Sequence, residues 1–107
     1  MSEPAQPDPQ TLGLSPAAAA NFALLRQRFV AGLAQRWLEI AAASSDSAQQ
    51  HIALHRLAGA AGSYGLRLLG EAARRAELSL EQGQGEQLKQ ALAELEALIS
   101  TASVTNS

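Results

Sequence analysis

Two histidines, His51 and His55, stand four residues apart in the run HIALHRLAGAAGSYG, which spans residues 51–65. An imidazole attacks or ligates through a nitrogen lone pair, which only the neutral ring offers; an ordinary histidine, with a pKa of ~6.5, is mostly neutral at neutral pH. On a helix the H-x-x-x-H spacing puts both rings on one face, where they could supply two ligands to a metal ion. The chain has no third histidine and no cysteine, so carboxylates from another helix or another molecule would have to complete that site, and no metal is expected. Ser63 offers a hydroxyl, but with a histidine on the same exposed helix and no orienting acid it makes no hydrolytic triad.

The glycines in the same run need a reason, because a glycine in a helix interior costs about 1 kcal/mol relative to alanine. At about 100° per residue from His55, the residues Ala53, Leu54, Leu57, Ala60, Ala61 and Tyr64 fall in an arc centred opposite it. That arc is the expected core face, so His55 points outward. Gly59 and Gly62 lie within about 40° of His55 on the same count and strip side chains from the surface beside it. Another protein could therefore bring a reactive group close to that ring nitrogen. His51, one turn earlier, reads as a contact at the rim, and Gly65 as the end of the helix.

Four amphipathic segments are available to position this face. Ser15-Pro16 is an N-cap followed by the proline that a first helical position tolerates. The segment it opens carries Phe22, Leu25, Phe29, Leu33, Trp37 and Ile40 on one face and ends near Ala43. The histidine segment starts at Asp46 or Ser47 and runs to about Tyr64. A third, from about Leu66 to Gln82, spaces Leu69, Ala72, Ala73, Ala76 and Leu80; a fourth, from about Glu86 to Ser100, spaces Leu88, Leu92, Leu95 and Ile99. Short polar or glycine-rich connections join them, and the expected fold is an all-α, antiparallel up-down four-helix bundle over residues 15–100. Residues 1–14, with three of the four prolines, read as a flexible N-terminal segment, and 101–107 as a disordered tail.

The composition agrees and excludes several classes of function. At 107 residues, 47% hydrophobic and 4% aromatic, the chain suits one helical domain too small for a cleft between two lobes. The net charge of −2 gives no overall reason to bind nucleic acid. No apolar run is long enough for a membrane span, and acids and prolines occupy the start where a secretory signal would be basic and then apolar. A cytoplasmic monomer is expected.

The run His55-Arg56-Leu57-Ala58-Gly59-Ala60-Ala61-Gly62-Ser63-Tyr64-Gly65 resembles the histidine-containing phosphotransfer (Hpt) domain, whose pattern is roughly H-x-L-K-G-x-A-x-x-x-G. The histidine, the leucine, both pattern glycines and the small Ala61 match, and the flanking helices extend the likeness over about residues 16–100. The resemblance implies a phosphorelay intermediate: His55, by analogy at Nε2, accepts a phosphoryl group from the aspartyl phosphate of a receiver domain and passes it to another receiver. Its partners would be response-regulator receiver domains, a hybrid sensor histidine kinase, or both. The domain would need no cofactor of its own, Mg²⁺ being supplied by the receiver, and would be a phospho-carrier rather than an enzyme.

One position departs from the pattern. Ala58 stands where the family usually has a lysine that neutralises the phosphoryl group, and Arg56, about 100° round the helix, is the nearest substitute. Residues 26–75 carry seven arginines against Glu39, Asp46 and Glu71, which suits an acidic receiver pocket. The surface expected to meet the phosphoryl group and the receiver comprises Arg56, Ala58, Gly59, Gly62, Ser63 and His51 around His55. Two other readings are an Hpt-like docking module that binds a receiver or kinase without transfer, and a helical regulator whose exposed face meets an unrelated partner.

Overall fold

The computed structural model describes residues 15–106, and side chains as far as Val104. Residues 1–14, read from the sequence as a flexible segment, lie outside the described residues. The described chain is all helix and connections: α1 (Pro16–Ala31), α2 (Leu33–Ala42), α3 (Ser47–Ser63), α4 (Arg67–Glu81) and α5 (Gly85–Asn106).

The helix ends follow local chemistry. The Ser15 hydroxyl accepts from Ala18 N at 3.1 Å and Pro16 takes the first helical position. Asp46 does the same for α3, its carboxylate accepting from Gln49 N at 3.2 Å. Both caps satisfy backbone donors that a first turn leaves without partners. Helix α3 stops at a Schellman motif: Gly65, at φ +75°, donates to Gly62 O, and Leu66 N donates back to Ala61 O at 2.9 Å. The same pattern recurs at Gly83 (φ +67°), where Gln84 N reaches Ser79 O. The left-handed backbone required at these two positions suits glycine, which has no Cβ to clash.

Two boundaries differ from the sequence expectation. The single helix expected from Ser15 to Ala43 breaks at Gly32 into α1 and α2. The hydrogen-bond ladder passes across the break, since Gly32 N bonds Arg28 O and Phe29 O and Gly32 O accepts from Arg36 N; the result is a bend at a glycine, not a loop. At the other end α5 continues to Asn106, so residues 101–106 are helix where a disordered tail was expected. No glycine or proline interrupts them, Thr101 Oγ1 donates to Ala97 O at 3.0 Å, and Ala102 packs against the core.

The core lies among α2–α5. Helix α4 packs against both α3 and α5, and α2 lies against α3 and α5. Leu33, Ile40, Leu54, Leu57 and Leu95 are fully enclosed, and α4 contributes the small Ala72, Ala73 and Ala76 between its larger neighbours. Helix α1 packs along α2 and α5 and reaches α3 only at that helix's C-cap, Tyr64; the core stripe of α1 begins at Phe29. Phe22 and Leu25, expected in the core, are exposed; the Phe22 ring rests on Tyr64, which stacks in turn on Phe29. Two hydrogen bonds pin neighbouring elements to α3. Buried Gln50 donates through Nε2 to Ile40 O at the end of α2 (3.0 Å), and Arg26 Nε of α1 donates to Tyr64 O, the C-cap carbonyl of α3 (3.0 Å).

Candidate functional site

Helix α3 carries His51 and His55 one turn apart, and α4 carries Glu77 and Glu81 with the same separation on the face turned toward them. The two pairs form a ladder between the helices. His55 Nδ1 lies 2.8 Å from Glu77 Oε2. His51 Nε2 lies 2.7 Å from Glu81 Oε2 and 3.4 Å from Glu77 Oε2. The imidazole planes are nearly parallel, at 8°, with centroids 6.4 Å apart.

Burial separates the roles of these groups. The His55 side chain is 66% exposed, whereas that of Glu77 is 4% exposed. A carboxylate only accepts hydrogen bonds, so the contact with Glu77 assigns the ring proton to Nδ1 and leaves the lone pair on Nε2. Nε2 of His55 has no partner among the described residues. The ring is thus held from beneath by a buried acceptor and presents its nucleophilic atom at the surface.

The surface beside the ring is as bare as the sequence suggests. Gly59 and Gly62 are exposed, and a Cβ added at either would meet nothing within 4 Å. They floor an open groove of about 580 Å³ between α3 and α4, with His55 and Glu77 at one end and Arg67 and Arg74 along the α4 wall. The close packing that small residues permit belongs to Gly70 of α4, which sequence reasoning missed. A Cβ there would lie 3.4 Å from Ala58 O and 3.6 Å from Gly62 N, so the two backbones approach nearly to contact and keep the groove shallow.

The remaining expected residues divide. Ala58 lines the groove and is half-buried against the core. Ser63 lies off the groove and donates its hydroxyl to Gly59 O in its own helix, at 3.1 Å. Arg56 borders a second depression on the other flank of His55 and is absent from the glycine groove. Arg74 lines both, with Nη1 3.9 Å from Glu77 Oε1. Glu77 and Arg74 were both missed from sequence. The available signal was Glu77 itself, a carboxylate about 80° round α4 from Leu69, at the margin of the apolar arc.

The family model of the Hpt domain matches residues 24–104, a span that holds the whole ladder and groove. The chain belongs to the Hpt domain family. No curated protein and no solved structure matches it. Membership places this Hpt domain in the phosphotransfer chemistry of two-component signalling, and Hpt domains generally interact with receiver domains and kinases. Among its described residues no helix is long and apolar enough to cross a membrane.

Proposed function

We propose that His55 is the phospho-accepting residue of a phosphorelay intermediate, taking a phosphoryl group from the aspartyl phosphate of one receiver and passing it to another. The observation that carries this reading is the 2.8 Å contact between His55 Nδ1 and the buried Glu77 carboxylate, beneath a ring whose other nitrogen opens on the glycine-floored groove. Such transfer needs little covalent machinery beyond positioning and charge stabilisation. The Nε2 lone pair attacks phosphorus, the P–O bond to the receiver's aspartyl oxygen breaks, and the electron pair leaves with that carboxylate as the P–N bond forms. The proton stays on Nδ1, where Glu77 balances the positive charge the ring acquires. Passing the group to a second receiver reverses these steps and restores the lone pair.

Arg74, and not the Arg56 expected from the sequence, supplies positive charge in the groove where Ala58 replaces the usual lysine; it lines that groove with His55. This favours transfer over docking without transfer. Mg²⁺ belongs to the receiver in this scheme, and the domain acts as carrier, not as an autonomous enzyme, working as a cytoplasmic monomer. We read α2–α5 as an antiparallel up-down bundle, a reading supported by the short connections between helices that pack together. Incubation with a receiver phosphorylated on aspartate should label the protein with an acid-labile, base-stable phosphate. His55→Gln should abolish that label and His51→Gln should still take it up. Label on the His55→Gln protein would refute the assignment.

A further inference from the structure

The second rung of the ladder has no part in the relay chemistry, yet it gathers ligand atoms. His51 Nε2 and one oxygen each from Glu77 and Glu81 lie within 4.8 Å of one another. Sequence reading set the H-x-x-x-H pair aside because carboxylates from another helix would be needed, and α4 supplies two. A second observation concerns Glu77. Its other oxygen, Oε1, is buried without a hydrogen-bond partner and is held only by a long ion pair with Arg74 Nη1 at 3.9 Å. A buried carboxylate that relies on so long an ion pair costs stability, and a closer cation offsets that cost.

We propose that His51, Glu77 and Glu81 form a binding site for a divalent transition-metal ion of the Zn²⁺ class. Imidazole nitrogen with carboxylate oxygen suits that class, whereas Mg²⁺ prefers oxygen donors and retains its waters. Ligands about 2.0–2.1 Å from a tetrahedral ion lie about 3.3 Å apart. His51 Nε2 and Glu77 Oε2 already stand at 3.4 Å, and the 2.7 Å separation from Glu81 Oε2 widens by rotation of a side chain that is 46% exposed. On binding, the proton on His51 Nε2 moves to Nδ1 or leaves to solvent, freeing the lone pair for the metal. Water fills the fourth position at this open surface.

Glu77 then serves two neighbours, the ion and His55 Nδ1. The site itself does not depend on the relay reading, but its effect on His55 does: the ion draws on the charge that supports the ring, and loaded protein accepts phosphoryl more slowly. Calorimetric titration of the full chain with ZnCl₂ tests the site without any receiver. One ion should bind per chain, about tenfold or more weakly to Glu81→Gln and to His51→Gln, and imidazole ¹⁵N spectra should show the His51 Nε2 resonance moving on loading. An absence of binding, or variants that bind as the wild type does, overturns the site. Zn²⁺ should slow labelling of the wild type by a phosphorylated receiver and leave Glu81→Gln less sensitive; equal slowing of both overturns the coupling.

Discussion

At the residue scale the decisive pairing is His55 with Glu77, an exposed ring on a buried carboxylate. Glu77→Gln retains an acceptor for the Nδ1 proton but removes the charge that, in the proposed relay, balances the phosphorylated ring. Transfer from a phosphorylated receiver should slow about tenfold, equivalent to about 1.4 kcal/mol on the barrier, with receiver affinity unchanged. A matching loss of affinity would identify Glu77 as a docking residue instead. Arg74 makes a separate test. Arg74→Ala should slow labelling or shorten the lifetime of the phosphohistidine, and Ala58→Lys in that background should restore it, because position 58 opens on the same groove. If the double variant behaves like Arg74→Ala, charge in the groove does not govern the rate.

At the element scale, α3 and α4 make one surface from two kinds of glycine. Gly59 and Gly62 face open space, so Gly59→Glu should leave thermal unfolding nearly unchanged while weakening receiver binding about tenfold or more. Unchanged affinity would show that the partner docks elsewhere. Gly70 faces the backbone of α3 at close range, and Gly70→Leu must push the helices apart, at about 1–3 kcal/mol of stability. Denaturant unfolding distinguishes these cases: the first variant changes binding, the second changes stability.

At the scale of the whole molecule, the elements and the exposed face of His55 were legible in the sequence and their cross-helix partners were not. Periodicity marked the buried faces of α3, α4 and α5 because each spans only local residues, and the glycine spacing marked the cleared side of His55. Glu77, Arg74 and Gly70 escaped because their meaning depends on how α4 registers against α3, a tertiary fact with no local period. The stripe of α1 and α2 misled for a related reason. Phe22 and Leu25 continue the spacing of Phe29 and Leu33, but the buried residues of α1 begin only at Phe29. The tail misled because Thr101, Ala102 and Ser103 are small and two of them polar, although nothing in them breaks a helix. A chain ending at Ser100 should lose about 1 kcal/mol in urea unfolding with the packing of Ala102 and the Thr101 bond; no loss would mean the last turns frame nothing. By contrast Leu95→Ala, in the enclosed core, should cost about 2–5 kcal/mol.

The groove floor has one more consequence. Where Gly59 and Gly62 leave backbone exposed, the surface offers a visiting protein little that distinguishes one visitor from another. Under the relay reading, discrimination then falls to the surroundings of the groove, where Arg56, Arg67, Arg74 and the exposed Ile52 stand. On that reading the chemistry and the address are written on different residues, so the addresses can be rewritten, and new circuits wired, without disturbing the ring proposed to carry the phosphate.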